Sequence, residues 1–320
     1  MSEKNILVQV KDIKKHFLMN EGLRRGVLKA VDGVSIDIYK GETLGLVGES
    51  GCGKSTLGRV VLRLVEKTSG EVLFDGQDVY ALKPKELVRL RRKMQIIFQD
   101  PYACLNPRLR IEDIIAEPLR FHEKLSSEER KERVAKVMAD VGLNEDMARR
   151  FPHELSGGQQ QRVGIARALI LRPEFIVCDE PVSALDVSVQ AQILNLLVTM
   201  KEEYKLTYLF VSHNLAVIHH ICDRIAVMYL GQIVEVADKE ELFSNPLHPY
   251  TKALISAVLS VDEEENRSRI ILKGDLPDPS NPPEGCRFRT RCVYAEDACE
   301  QEQTLQEVKP GHWLRCRKSQ

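Results

Sequence analysis

The feature that most constrains this sequence is a glycine-rich turn between a short apolar strand and a helix. The strand is predicted over 42–48, ETLGLVG, and the helix begins near Lys54. The turn, 48–55, reads GESGCGKS and satisfies the spacing G-x-x-x-x-G-K-[ST]. Such a turn directs backbone N–H groups and a helix N-terminus at an anion. We therefore predict a phosphate-binding loop; the alternative, a glycine-rich turn that binds nothing, does not explain the order of strand, turn and helix.

The residue types in and beyond this loop indicate hydrolysis of a nucleoside triphosphate. Lys54 is expected to reach the β and γ phosphates, and the Ser55 hydroxyl to bind Mg²⁺. A second apolar strand, 175–179, ends in Asp179 and is followed by Glu180. We expect Asp179 at the magnesium ion and Glu180 as the base that orients and deprotonates water; the alternative is that both only cap the next turn. The residues expected to surround the phosphates are Gly48, Glu49, Ser50, Gly51, Cys52, Gly53, Lys54, Ser55 and Thr56.

The order of strands and helices predicts an α/β fold. ILVQVKDI and VSIDIYK, near the start, alternate apolar and polar residues, and the loop MNEGLRRG lies between them. From about 110 to 150 the apolar spacing becomes helical, which predicts an inserted helical subdomain over about 105–165. Strands and helices then alternate again through VGIARALIL, FIVCD, TYLFVS and RIAVMY. This alternation predicts a parallel sheet covered by helices.

We place a domain boundary near residue 245. Residues 1–245 form the nucleotide-binding domain, and 246–320 form a C-terminal extension. The extension contains a helix around YTKALISAVL, the acidic run DEEEN, the proline-rich stretch LPDPSNPP and a tail with four cysteines. A composition shift of this kind is typical of an appendage to a larger core.

Charge and hydropathy exclude several classes of function. The 46 Lys and Arg balance 47 Asp and Glu to a net charge of −1, which argues against a surface made to neutralise nucleic acid. No run of about 18 apolar residues and no secretory signal is found. We therefore expect no nucleic acid partner and a chain that neither spans a membrane nor leaves the cytoplasm by itself.

The segment 155–159, LSGGQ, followed by QQRVGIARAL, makes the chain resemble the ATP-binding cassette family. A serine and two glycines at a helix start form another anion-binding end, although LSG alone could be an ordinary capped helix. In the family this element closes over the γ-phosphate held by the other subunit of a head-to-tail dimer. The resemblance therefore implies that two chains enclose two nucleotides and that Ser156, Gly157, Gly158 and Gln159 contact ATP.

The resemblance assigns further residues to the site. Gln99 in IIFQD matches the glutamine that contacts magnesium and water, and Asp186 in SALD matches the loop that crosses the dimer interface. His213 in FVSHN matches the histidine that contacts the γ-phosphate and holds the catalytic water. Phe17 in KKHF has the place of the aromatic residue that stacks on adenine; a core aromatic is the alternative. The implied fold is a P-loop NTPase with a RecA-like core, an N-terminal antiparallel β subdomain, the helical subdomain and the cysteine-rich extension.

The stretch 99–108, QDPYACLNPR, looks like that of the oligopeptide/dipeptide (peptide/nickel) importer ATPases, where a serine commonly replaces Cys104. In that family it docks a cytoplasmic helix of the membrane partner. Such importers usually contain two unlike ATPase subunits, and the sequence around the phosphate loop resembles that of the second one. The resemblance implies an unlike ATPase partner, two integral membrane permease subunits, a solute-binding protein that acts indirectly, and a place on the cytoplasmic face of the membrane.

Short peptides are the expected cargo, with nickel or another solute as the alternative. A soluble cassette ATPase acting in translation or DNA maintenance is less favoured, because such proteins usually contain tandem cassettes, a long coiled insertion or a zinc module. A small-molecule kinase would lack LSGGQ.

Four of the eight cysteines crowd the C-terminal tail: Cys286, Cys292, Cys299 and Cys316. Structural zinc favours C-x₂₋₄-C pairs, which are missing here, whereas wider spacings suit a cubane cluster. Spacing alone leaves iron–sulfur, zinc and unligated thiols open. The importer family carries a [4Fe-4S] cluster at cysteines so arranged, so the resemblance favours that cofactor beside ATP and Mg²⁺. The three neighbouring arginines could offset the charge of a cluster or face solvent: Arg287, Arg289 and Arg291.

Overall fold

The structure is a computed structural model that describes residues 5–21, 24–259, 270, 272, 274 and 276–317. Over these residues the strands are β1 (Ile6–Glu21), β2 (Arg24–Tyr39), β3 (Thr43–Val47), β4 (Ser69–Phe74), β5 (Gln77–Asp78), β6 (Met94–Ile97), β7 (Phe175–Asp179), β8 (Thr207–Ser212), β9 (Arg224–Tyr229), β10 (Gln232–Asp238), β11 (Gln306–Lys309) and β12 (His312–Leu314).

The helices of the same residues are α1 (Lys54–Val61), α2 (Pro84–Lys93), α3 (Pro101–Cys104), α4 (Ile111–His122), α5 (Ser127–Asp140), α6 (Gly157–Leu169), α7 (Val187–Tyr204), α8 (Leu215–Ile221), α9 (Lys239–Ser244) and α10 (Pro249–Leu259). Short 3-10 helices cover Glu145–Arg149, Pro152–Glu154 and Asp297–Glu300. No helix in the described ranges is both long enough and apolar enough to cross a membrane.

The chain divides into two compact units. The first comprises Met1–Ile38, Thr43–Tyr80 and Ser212–Gln320, and the second comprises Tyr39–Glu42 and Ala81–Val211. The predicted boundary near residue 245 stays a prediction. Helix α10 and the cysteine tail belong to the same unit as the phosphate loop.

The first unit contains an antiparallel sheet of order β2-β1-β4-β5. Val8 and Val10 on β1 are buried, as the alternating pattern predicts. The predicted loop over 19–26 is shorter in the structure, because β1 continues to Glu21 and β2 starts at Arg24. β1 and β2 are neighbours in the sheet, and strand pairing uses backbone groups, so strands can continue into a segment of loop-like composition.

The same unit contains the strands that lead to the phosphate loop. β3 pairs in parallel with β9, and β10, β12 and β11 follow in antiparallel order. Every residue of β3 and β9 is buried, which matches their short apolar sequences. The acidic run at 262–266 lies outside the described residues.

Strand β10 carries a buried carboxylate that ties the end of the chain to this sheet. Glu235, with no exposed surface, accepts hydrogen bonds from the backbone N–H groups of Leu247 (2.7 Å) and His248 (2.9 Å). His312 Nε2 on β12 lies 2.8 Å from Oε1 of the same carboxylate, the oxygen that also accepts from Leu247. A buried carboxylate is stable only when it is paired in this way, so β10, the start of α10 and β12 form one network.

The second unit contains the parallel strands β6, β7 and β8, in neighbouring order. Its helices α4 and α5 confirm the helical spacing predicted from about 110 to 150. On α4 the apolar residues Ile111, Ile114, Ile115 and Leu119 are buried, at the spacing of one helix face. Thus a helical insertion separates β6 from β7, as the change in sequence pattern predicts.

Candidate functional site

The glycine-rich turn joins β3 to α1 and holds the Lys54 ammonium across the loop. Lys54 is buried, and its Nζ donates to the carbonyl oxygens of Gly48 (2.8 Å) and Glu49 (2.9 Å). An ammonium has three donors; the third group near it is the Cys52 sulfur at 3.9 Å, a weak acceptor that a stronger one could replace. Ser55 and Thr56, in the first turn of α1, are half-buried.

Close packing explains the glycines at both ends of the loop. A Cβ on Gly48 would lie 2.1 Å from the carbonyl oxygen of Met228, and one on Gly53 would lie 2.0 Å from that of Ala30. Gly53 also has a φ of 108°, which side chains rarely adopt. The loop conformation therefore requires glycine at these positions, before any ligand is considered.

In the second unit, the end of β7 presents two adjacent carboxylates in different environments. Asp179 is buried, whereas Glu180 is half-buried and has a φ of 45°, in the left-handed region. Its backbone N–H donates to Val211 O at 3.0 Å, and its carbonyl accepts from Ser183 Oγ at 3.1 Å. Gln99 Nε2 donates to Glu180 Oε2 at 3.3 Å. Two residues predicted from separate segments are thus brought together, and Glu180 is held in a strained conformation typical of functional sites.

The LSGGQ segment begins α6 with a reciprocal cap. Ser156 Oγ accepts from the backbone N–H of Gln159 at 3.4 Å, and Ser156 N–H donates to Gln159 Oε1 at 3.0 Å. Ser156 and Gly157 are exposed. A Cβ on Gly158 would lie 2.5 Å from Val189 Cγ1 on α7. The helix therefore starts close against α7, with its cap and first residue open to solvent.

The remaining predicted site residues lie at element ends or on β1. Asp186 is exposed and precedes α7, and Val187 beside it is 82% exposed. His213 is exposed and follows β8; Asn214 after it caps α8 by accepting from Ala216 N at 2.9 Å. Phe17 on β1 is half-buried, with Lys15 Nζ 4.5 Å from its ring centroid.

The predicted residues are shared between the two units. The first unit contains Phe17, the phosphate loop, His213 and the four tail cysteines; the second contains Gln99, Asp179, Glu180, Ser156–Gln159 and Asp186.

Two further residues contact the phosphate loop and were missed by sequence reasoning. Tyr250 Oη accepts a hydrogen bond from Glu49 N at 2.9 Å. Arg291 Nη1 donates to both carboxylate oxygens of Glu49, at 2.8 and 3.1 Å. They lie 201 and 242 positions away in the chain, and no local pattern links residues at such separations.

The thiols of the other three tail cysteines lie near that of Cys286, but the four do not form a closed site for a single metal ion. Burial, and to a smaller extent the nearby thiols of Cys316, Cys299 and Cys292, raise the pKa of the Cys286 thiol to about 11. Cys286 N–H donates to Cys299 O at 2.8 Å. Among the described residues, however, no three His, Cys, Asp or Glu side chains lie close enough to hold one metal ion.

The arginines of the cysteine tail form ion pairs with carboxylates, and some of their N–H groups have no hydrogen-bond partner. Arg287 pairs with Asp32 and donates to Leu230 O, and Arg289 pairs with Glu300 at 2.5 Å. Together with the Arg291–Glu49 pair, this shows that Arg287 and Arg291 do not face solvent. In the described part of the cysteine tail, three arginines have a buried Nε–H group without a hydrogen-bond partner: Arg289, Arg291 and Arg315.

Comparison with known proteins adds two family matches. Residues 31–183 match the ABC transporter family, and residues 234–299 match the oligopeptide/dipeptide transporter C-terminal region. The oligopeptide transport ATP-binding protein AppF of Bacillus subtilis is 52% identical over 317 residues, which cover 97% of this chain and 96% of that protein. The oligopeptide transport ATP-binding protein OppF of Salmonella typhimurium is 50% identical, with 99% of this chain and 98% of that protein covered.

Solved structures share the fold. The ATP-binding cassette MJ0796, described as a dimer in a post-hydrolysis state bound to ADP and Pi, has a TM-score of 0.66 and 33% identity. It covers 73% of this chain and 99% of its own. CbiO1 of Clostridium perfringens, part of the ABC transporter complex CbiONQ, has a TM-score of 0.66 and 25% identity, and covers 81% of this chain and 96% of its own. The chain therefore belongs to the ABC transporter family, as an ATP-hydrolysing cassette that carries the C-terminal region of oligopeptide/dipeptide transporters.

Proposed function

We propose that this chain is the ATPase subunit of an importer of short peptides and couples ATP hydrolysis to their uptake. The observation that carries the proposal is that one chain matches both the ABC transporter family and the oligopeptide/dipeptide transporter C-terminal region. The names of AppF and OppF, each about as long as this chain, support peptides as the cargo. Nickel or another solute is the alternative cargo.

The phosphate loop fits the triphosphate of ATP. Lys54 is already held by two loop carbonyls, and glycine at positions 48 and 53 keeps side chains away from the loop backbone. We assign the backbone N–H groups of 48–56 and the Lys54 ammonium to the β and γ phosphates. Phe17 on β1 would stack on adenine, with the ammonium of Lys15 already over its ring.

The Mg²⁺ ligands are assigned to Ser55, Gln99 and Asp179. These residues offer a hydroxyl, an amide and a carboxylate oxygen, and Mg²⁺, a hard cation, prefers oxygen ligands. When bound, Mg²⁺ neutralises charge on the phosphate oxygens.

The hydrolytic step is assigned to Glu180. Its half-buried carboxylate can accept a proton from a water aligned with the γ-phosphate. Gln99 donates to this carboxylate and orients it, and His213 would contact the γ-phosphate and help to hold the water. The strained backbone at Glu180 fixes the direction of the side chain, so little reorganisation is needed when the nucleotide arrives.

The exposed cap of α6 suits a shared nucleotide. Ser156, Gly157, Gly158 and Gln159 offer hydroxyl and backbone donors at a helix start, but no lysine. We propose that they contact the γ-phosphate held by a second ATPase subunit, unlike this chain, and that Asp186 lies at the interface with that subunit. The dimeric structures of MJ0796 support such an arrangement.

A surface on the second unit suits the membrane partners. Asp100 caps the short helix α3 by accepting from Ala103 N at 3.1 Å, and this presents Tyr102 with 64% of its surface exposed. We propose that 99–108 docks one of two integral membrane permease subunits on the cytoplasmic face of the membrane. A solute-binding protein on the other face would deliver peptides to the permeases without contacting this chain.

The cysteine tail is proposed to hold a [4Fe-4S] cluster, with zinc as the alternative. In support, Cys286 lies near the thiols of Cys292, Cys299 and Cys316, and buried arginine Nε–H groups in the same segment lack partners. Thiolate sulfurs are acceptors for such donors. A single tetrahedral zinc is less suited to thiols that do not converge on one point. Anaerobic purification should give a brown protein with absorption near about 400 nm; a colourless protein containing zinc would contradict the cluster.

Reconstitution tests the whole proposal. The chain, its ATPase partner and the permeases would be placed in liposomes with the solute-binding protein, and uptake of labelled tri- and tetrapeptides measured. We expect ATP-dependent peptide uptake that Glu180→Gln abolishes. Uptake of nickel but no peptide would refute the assigned cargo.

A further inference from the structure

The C-terminal extension holds the phosphate loop at Glu49. The extension reaches this residue twice: Tyr250 Oη accepts from its backbone N–H, and Arg291 binds its carboxylate with two hydrogen bonds. The Arg291 side chain is only 9% exposed and that of Glu49 is 27% exposed, so the pair is largely shielded from water. The backbone and the side chain of Glu49 are therefore each held by a residue from outside the loop.

A buried aromatic cluster connects these two anchors. The rings of Tyr250 and Phe288 are 5.5 Å apart, and Tyr229 on β9 contacts both, at 4.7 and 5.2 Å. All three side chains are fully buried. Phe288 and Arg291 lie between Cys286 and Cys292 in the chain, so this cluster fixes the first part of the cysteine tail against the base of the phosphate loop.

The geometry gives Arg291 an effect on nucleotide binding. Glu49 contributes its carbonyl to the bond that holds Lys54, so a shift of Glu49 also shifts the ammonium. In addition, the Glu49 carboxylate is a negative charge on the loop proposed to bind a triphosphate, and an uncompensated charge there repels the ligand. Arg291 removes that repulsion, since it neutralises the carboxylate at 2.8 Å.

We propose that Arg291 is a positioning residue of the nucleotide site, and that through Glu49 it couples the cysteine segment 286–292 to the phosphate loop. The proposal rests on the nucleotide site assigned above. Coupling between two sites is reciprocal, so nucleotide must change the segment as much as the segment changes nucleotide affinity. The ATPase site is thereby linked to the state of the cysteine tail within one chain.

Nucleotide affinity of the full chain gives the first test, with a fluorescent ATP analogue and Mg²⁺. Arg291→Gln leaves the Glu49 carboxylate unpaired and should weaken binding about tenfold, equivalent to about 1.4 kcal/mol. In a chain that already carries Glu49→Gln the carboxylate is absent, so adding Arg291→Gln should weaken binding much less than it does in the unmodified chain. Arg291→Lys should keep most of the affinity.

Arg289→Gln is the matched control, since Arg289 pairs with Glu300 and not with the loop. We expect it to bind nucleotide normally. Lys54→Ala separates a failure of the proposed nucleotide site from a failure of the proposed coupling. If Lys54→Ala binds as well as the unmodified chain, the proposed nucleotide site is wrong; if it loses binding while Arg291→Gln does not, only the coupling is wrong. An effect of Arg291→Gln on affinity that is as large in the Glu49→Gln background as in the unmodified chain also refutes the coupling.

Amide hydrogen exchange gives a second readout that a purely structural role would not move. In the unmodified chain, Mg-nucleotide should slow exchange in the 286–292 segment by about threefold or more. This response should be smaller in Glu49→Gln, in which a neutral amide replaces the carboxylate that Arg291 binds. Unchanged exchange in the unmodified chain at saturating nucleotide would refute the coupling, and this result does not depend on whether Arg291→Gln folds.

Discussion

Gln99 donates a hydrogen bond from Nε2 to Oε2 of Glu180, at 3.3 Å, although the two residues are 81 positions apart. The bond joins the segment after β6 to the end of β7. It means that the proposed base is oriented by the first residue of the proposed docking segment 99–108. Movement of that segment on a membrane partner would therefore reach the hydrolytic carboxylate by a single contact.

Glu180→Gln should keep ATP binding and abolish turnover, because an amide cannot accept the proton of the attacking water. General-base catalysis contributes about 10²–10⁴-fold, so phosphate release should fall at least about a hundredfold. The bound ATP should also hold the dimer closed, visible by size-exclusion chromatography with the partner subunit. Normal hydrolysis by this variant would remove Glu180 from its assigned role.

Gly53→Ala should destabilise the fold and abolish nucleotide binding. Its φ of 108° disfavours any side chain, by roughly 1–2 kcal/mol, and the clash with Ala30 O adds roughly 1–3 kcal/mol. Gly76→Ala is the matched control, with a φ of 77° but open space at its Cβ. In urea unfolding, Gly76→Ala should lower the free energy of unfolding less than Gly53→Ala does. Equal decreases in the two variants would contradict the clash at position 53.

Ser156→Ala should lower ATPase activity in the dimer and leave nucleotide binding to the single chain unchanged. The loss of its cap on α6 costs about 1 kcal/mol of stability. Ser126→Ala is the control, because Ser126 caps α5 in the same reciprocal way with Glu129, far along the chain from LSGGQ. The two variants should lose similar stability in thermal unfolding. ATPase rates that fall equally in both would show that the effect is structural only.

Stability should depend on pH through His312. Burial disfavours its charged form, but Glu235 and Glu241, by hydrogen bonds and charge, raise its pKa above 6.5. A group whose pKa is raised on folding stabilises the fold fully below its unfolded pKa, and this contribution disappears as the pH rises through the folded pKa. Thermal unfolding temperatures from pH 5.5 to 8.5 should therefore fall less steeply for His312→Gln than for the unmodified chain. Identical slopes would show that His312 does not carry the effect.

Much of the fold follows from local patterns. The helices α4 to α6 and the strands β7, β8 and β9 lie where helical spacing and short apolar runs predict them. The site segments are also local, because the phosphate loop, FIVCDE and LSGGQ each place their residues within one turn or one helix cap. Residues that act together can be predicted from the sequence when they lie in one such segment.

Other elements depend on pairing between distant segments and were missed. Strand β10 and the hairpin β11–β12 are short, and their stability comes from backbone pairing and from the Glu235–His312 contact rather than from a local pattern. The hold of Tyr250 and Arg291 on Glu49 is similar, since neither residue carries a local motif. The left-handed conformation of Glu180 is likewise set by its hydrogen bonds and not by its residue type.

The network around Glu235 has a consequence for shortened forms of the chain. If the polypeptide ended at residue 245, the carboxylate would lose the amides of Leu247 and His248 and the imidazole of His312, the partners that offset the cost of burying it. Strand β10 would at the same time lose β12 and become an open edge, ready to pair with other molecules. A truncated cassette is therefore expected to precipitate on expression, however complete its ATP-hydrolysing residues are.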